Sequence, residues 1–164
     1  MSHPITRRTA LVTVAASALL AALPRQTLAA TTHEIQMLNQ HPDDRKLKMV
    51  FYPRIVVAEP GDTISFVATD KGHNSQSVDG MAPEGAEGWK GKINAAVEVT
   101  LDKPGFYGFQ CAPHAAMGMV GLVIVKGEGM MDNLDAAKAV KQRGKAEGAW
   151  NDIWAEFEGM DLGA

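Results

Sequence analysis

Thiol is what this 164-residue chain has least of: Cys111 is its single cysteine, so no internal disulfide can form. In an oxidising compartment a lone thiol survives only if it is buried or bound to a metal. Basic residues are also outnumbered, 16 against 19 acidic, for a net charge of −3. The first thirty residues contain Arg7, Arg8 and Arg25 and no acid, so without them the balance falls to about −6. That excludes the broad basic surface with which proteins hold nucleic acid. The one long apolar run, Ala10 to Leu23, is shorter than the ~20 residues a membrane-spanning helix needs. Histidine is scarce: beyond His3 there are only His33, His41, His73 and His114, too few to furnish an additional metal centre readily.

The apolar run follows Arg7 and Arg8 and ends at Pro24, ahead of the small residues Ala29 and Ala30. This order of basic, apolar and small residues is that of a cleaved secretory signal peptide over residues 1–30. Cleavage after Ala29 and cleavage after Ala30 both fit, and no membrane insertion is expected afterwards. The chain has no internal repeat and no low-complexity linker. The remaining ~134 residues, 31–164, suit one domain around a single core.

Up to about Val125 the pattern is that of short strands separated by turns. Thr63 to Ala68 alternates, Glu59-Pro60-Gly61-Asp62 and Asp102-Lys103-Pro104-Gly105 carry turn chemistry, and Val120 to Val125 is a wholly apolar run. Such a series predicts a β-sandwich. The stretch from Val78 to Lys92 reads as a long loop. After Gly127 the spacing turns helical. A first helix is expected from a cap at Asp132 or Asn133 to about Arg143, with Gly144 ending it, and a second over Ala146 to Phe157. Together they form a helical extension over about 131–158, whose stripe of Trp150, Ile153, Trp154 and Phe157 should pack on the sandwich.

The chemistry concentrates in Cys111-Ala112-Pro113-His114-Ala115-Ala116-Met117-Gly118-Met119. A soft thiolate, an imidazole and a thioether in one loop suit copper cycling between two oxidation states, and a second imidazole would complete a His₂Cys site with a weak axial ligand. His73, in Asp70-Lys71-Gly72-His73-Asn74, is the natural candidate. By spacing alone either Met117 or Met119 could supply the thioether. Zinc also takes Cys and His, although a thioether argues against it. Pro113 stiffens the approach to His114. Asn74 is placed to hydrogen-bond across to the Cys111 loop and tune the sulfur.

Glu59-Pro60-Gly61-Asp62-Thr63, Asp70-Lys71-Gly72-His73-Asn74, Pro83-Glu84-Gly85-Ala86-Glu87 and the Cys111 to Met119 loop closely resemble the pseudoazurins, periplasmic type 1 copper cupredoxins. The C-x2-H-x4-M spacing is shared with plastocyanin, and two C-terminal helices favour the pseudoazurins. The resemblance implies an all-β, cupredoxin-like Greek-key β-sandwich with two C-terminal α-helices. It also implies one copper ion held by His73, Cys111, His114 and Met119, with Met49 against the exposed ligand histidine. The charged Gln40 to Lys48 segment departs from the family pattern.

What the resemblance implies for function is outer-sphere electron transfer, without enzymatic turnover, in the periplasm. The expected partners are c-type cytochromes as donors and nitrite reductase or another denitrification reductase as acceptor, met by a monomer or weak oligomer. His114 would lead out through an apolar patch of Met49, Pro53, Pro113, Ala115, Ala116 and Met117. Lys46, Lys48, Lys71, Lys90, Lys92 and Lys103 would ring it and steer an acidic partner. The alternative is a copper-binding or delivery protein without redox turnover.

Overall fold

A computed structural model describes residues 29–162, so the leader expected over 1–30 lies outside the described residues except for its last two. Eight strands form two four-stranded sheets. The first holds β1 (Thr32–Gln40), β2 (Lys48–Tyr52), β4 (Asp62–Val67) and β6 (Val97–Leu101), in the order β2-β1-β4-β6. The second holds β3 (Ile55–Ala58), β5 (Gln76–Ser77), β7 (Gly105–Gln110) and β8 (Val120–Val125), in the order β3-β8-β7-β5. β1 runs parallel to β4 and β3 parallel to β8, and the other pairs are antiparallel.

β8 explains its own composition. Val123 and Val125 join the core between the sheets, whereas Val120, Leu122 and Ile124 face the helices. A strand covered on both faces has no reason to alternate with polar residues. The inter-sheet core is aromatic at its centre, where Phe109 packs edge-on against Phe51 and Phe66 with ring centroids 4.8 and 4.9 Å apart. Outside the second sheet, α2 (Ala146–Glu158) buries Trp150, Ile153 and Phe157 over β8, and Phe157 meets Phe106 at 4.9 Å. Trp154 is only partly buried and stacks on Trp150. The apolar stripe therefore serves core packing.

One sequence expectation needs correction. The first helix does not reach Arg143: a 3₁₀ turn over Met130–Asn133 leads into α1 (Leu134–Ala139), and Val140 is already extended. Asn133 stands at its N-cap position, as expected, but its side chain makes no capping hydrogen bond. Its side chain accepts the Phe106 N–H at 2.9 Å and donates to the Phe106 carbonyl at 2.8 Å, imitating a paired strand and pinning α1 to β7. The stretch from Val78 to Lys92 is the long loop expected, lying between β5 and β6, and it is tied to the sheet. Val78 donates to Gly108 O and Gly108 to Met81 O, both at 2.8 Å, Ser77 donates to Trp89 O, and Trp89 stacks on Phe66.

Candidate metal centre

The Cys111 to Met119 loop connects β7 to β8, whose register closes at Gln110 opposite Val120. Just beyond that pair, Cys111 N–H donates to Met119 O at 3.0 Å, so both ends of the loop are held together. Inside, His114 N–H donates to Cys111 O at 3.0 Å, a 3₁₀ turn covers Ala115–Met117, and Gly118 ends it with a left-handed φ of 98°. The first turn of α2 supports the loop from outside, where Lys145 N–H donates to Ala116 O at 2.9 Å. Cys111 and Met119 are fully buried in the inter-sheet core, and His114 is partly exposed.

His73 comes from the segment after β4. Gly72, at φ 96°, turns the chain into it, and Gly72 N–H donates to Asn94 Oδ1 at 2.6 Å. The His73 ring is fully buried, with Nδ1 3.7 Å from Cys111 Sγ, while His114 Nδ1 lies 3.4 Å from the same sulfur. One ligand atom from each of His73, Cys111 and His114 lies within 4.8 Å of the others, close enough for a single ion to touch all three. Asn74 joins the two ligand segments: its Oδ1 accepts the Ala112 N–H at 2.8 Å and its Nδ2 donates to Gly91 O at 3.0 Å.

One residue of the site escaped sequence reasoning. Asn39, near the end of β1, places Oδ1 3.0 Å from His73 Nε2. With the proton on Nε2 and donated to Asn39, Nδ1 is left as a lone pair aimed at the sulfur, which fixes the tautomer a metal ligand needs. Burial, with His114 beside it, holds the His73 pKa below that of an ordinary histidine, which keeps that lone pair free. Burial also pushes the Cys111 thiol up, against the opposing pull of hydrogen bonds to Asn74 and His114. A bare thiolate is costly there, and a cation is what would hold it ionised. The donor set and its protonation thus fit a soft, redox-active metal.

The expected docking residues fall into two places. Ala116 and Met117 are exposed and Ala115 partly so, all beside His114, and Pro113 is exposed in the same loop. Met49, at φ 54°, is partly buried against the inter-sheet core. Lys71 precedes Gly72; Lys90 and Lys92 flank Gly91; Lys48 pairs in register with Gln40, next to Asn39; Lys46 precedes it in the same segment. Lys103 does not belong with these. It precedes β7 while Cys111 follows it, and its Nζ donates to Glu84 O at 3.0 Å, at the opposite end of the strand.

This sandwich with a Cys–His–Met loop between two core strands defines a cupredoxin, and residues 37–126 match the plastocyanin/azurin family of copper binding proteins. The chain is 50% identical to a pseudoazurin of Paracoccus pantotrophus over 80% of its own length and 87% of the relative's. To that of Methylorubrum extorquens it is 42% identical over 87% and 95%. A solved pseudoazurin structure from Sinorhizobium superposes with a TM-score of 0.73 at 50% identity, covering 79% of this chain and 98% of that one. The chain belongs to the pseudoazurin family. It is a blue-copper protein of the electron-carrier kind.

Proposed function

We propose that this chain is a periplasmic carrier that takes single electrons from c-type cytochromes and passes them to nitrite reductase or a similar reductase. Copper, when bound, supplies the one-electron exchange between Cu(II) and Cu(I). In this reading His73, Cys111, His114 and Met119 hold it, and all the rest of the work falls to the protein. Asn39 holds the His73 ring, and Asn74 ties the His73 segment to the Cys111 loop. The hydrogen-bonded ends of that loop resist rearrangement when the charge at the centre changes. The inter-sheet core keeps water from the sulfur.

The observation that carries the reading is the asymmetry of the two imidazoles: His73 is fully buried, while His114 is partly exposed among Ala115, Ala116 and Met117. Electrons would leave and enter through His114, with no substrate at the metal. Lys46, Lys48, Lys71, Lys90 and Lys92 would steer an acidic partner and let it go quickly. The test is a visible and EPR spectrum of the copper-loaded protein beside Cys111→Ser, through ascorbate reduction and reoxidation. An intense blue thiolate-to-copper band that bleaches, returns and is missing in the variant is expected. Release of the metal on reduction would favour copper delivery instead.

A further inference from the structure

Asp62, at the start of β4, is 5% exposed, and three donors converge on its carboxylate, two from the distant Thr31 and His33 and one from Glu59 in the turn just before it. Thr31 N–H donates to Oδ1 at 2.7 Å, Glu59 N–H donates to Oδ2 at 2.9 Å, and His33 Nε2 lies 2.9 Å from Oδ2. Thr31 itself is exposed, and its carbonyl accepts the Thr63 N–H at 2.9 Å, the first bond of the parallel β1–β4 ladder. This buried carboxylate therefore sits on the backbone nitrogen at one of the two points where the leader could be cut.

We propose that the Ala30–Thr31 peptide bond is the processing site, and that the α-ammonium freed at Thr31 forms a salt bridge with Asp62 that secures β1 in the mature protein. The inference rests on the reading of residues 1–30 as a cleaved leader. Hydrolysis by a leader-cleaving protease consumes one water. The water's hydroxyl joins the Ala30 carbonyl carbon as the C–N bond breaks, its hydrogen goes to the Thr31 nitrogen, and the new acid's proton passes to the amine. The leader departs with a carboxylate, and Thr31 keeps an ammonium.

The change converts a hydrogen bond with one ionised partner, the carboxylate, into an ion pair without moving either atom. The bond is charge-assisted in both forms, and what cleavage adds is the attraction of a positive charge to the buried carboxylate beside it. Because Thr31 is exposed, the remaining ammonium protons reach water and no donor is stranded. Cleavage after Ala29 would put the charge on Ala30, one residue past the carboxylate, and leave Thr31 an ordinary amide. The titratable groups in contact are Asp62 and His33; the Glu59 carboxylate turns away to Lys126 at 2.5 Å. An α-amino group ordinarily titrates near ~7.7–8.0, and a paired carboxylate raises that value in the folded state. The stabilisation is then complete below the unfolded value and disappears as pH rises through the folded one.

The full-length chain is expressed in a Gram-negative host, and the N-terminus of the exported protein is read by intact mass and N-terminal sequencing. Urea unfolding is then compared at pH 7 and pH 10 for the protein beginning at Thr31 and for the same protein acetylated at its α-amine. The expected results are a start at Thr31 and a folding constant about tenfold larger for the free amine at pH 7, the effect of about one unit of rise in the amine's folded-state value, with the gap closing at pH 10. A start at Ala30, or equal constants at pH 7, overturns the proposal. A secreted chain that still carries residues 1–28 overturns the leader reading itself.

Discussion

The molecule has two cores on either side of one sheet, and they do different work. The core between the sheets contains Cys111 and Met119, side by side with Phe51, Phe66 and Phe109. The core under the helices has Trp150, Ile153 and Phe157 over Val120, Leu122 and Ile124, and none of the proposed ligands. Yet it reaches the site: the Lys145 N–H at the start of α2 holds the Ala116 carbonyl in the ligand loop. Site geometry is thus set by the first core, and the second supplies stability and a brace. The same β8 serves both, one face each.

Breaking the helix core should separate the two roles most clearly. Phe157→Ala removes a nearly buried ring from the contact with Phe106, and we expect it to lower unfolding free energy by about 3–5 kcal/mol in urea titration. The blue absorption of the copper-loaded protein should stay where it was. A shifted band would show that the helix core controls the ligands as well. On the other side, Asn39→Ala leaves the buried His73 Nε2 without its acceptor. Copper affinity should fall about 10–100-fold with a change in the visible spectrum. Asn133→Ala, which also loses an amide used on backbone, should cost stability and leave both readouts alone.

What the sequence made legible follows the same division. Strand β8 announced itself as a continuous apolar run, and the helix stripe as i, i+3, i+4 and i+7 spacing, because burial on a regular element leaves a period. Cys111, His114 and Met119 were visible because they are close in the chain. Asn39 was invisible: its partner is 34 residues away, and a polar residue near a strand end has no distinguishing mark. β5 is only two residues long, too short to show alternation. Asn133 was legible as the cap position because caps are local, but its side chain's partner lies 27 residues back. Lys103 was misplaced although the chain order contained the answer, since a six-residue strand separates it from Cys111.

Smaller effects sharpen the picture further. Burial alone would raise the Asp62 carboxyl, but the Thr31 and Glu59 N–H groups and the His33 imidazole hold it below the ordinary 3.8. A depressed carboxylate stabilises the fold above its unfolded value, and that share is lost as pH falls through the folded one. Urea midpoints should therefore drop on acidification below about pH 4, less so in Asp62→Asn. Electron-transfer rates with an acidic partner should fall as salt rises. Lys71→Ala should weaken that dependence slightly, and Lys103→Ala not at all. An equal effect of both would dissolve the distinction between the two ends of the sandwich.

The most direct test of the central claim is copper-edge X-ray absorption of the mature protein loaded with one equivalent of Cu(II), beside Cys111→Ser. The account predicts one short copper–sulfur contact and two nitrogen neighbours, with the short sulfur shell missing in the variant. A copper surrounded only by nitrogen and oxygen in the wild-type protein would contradict it.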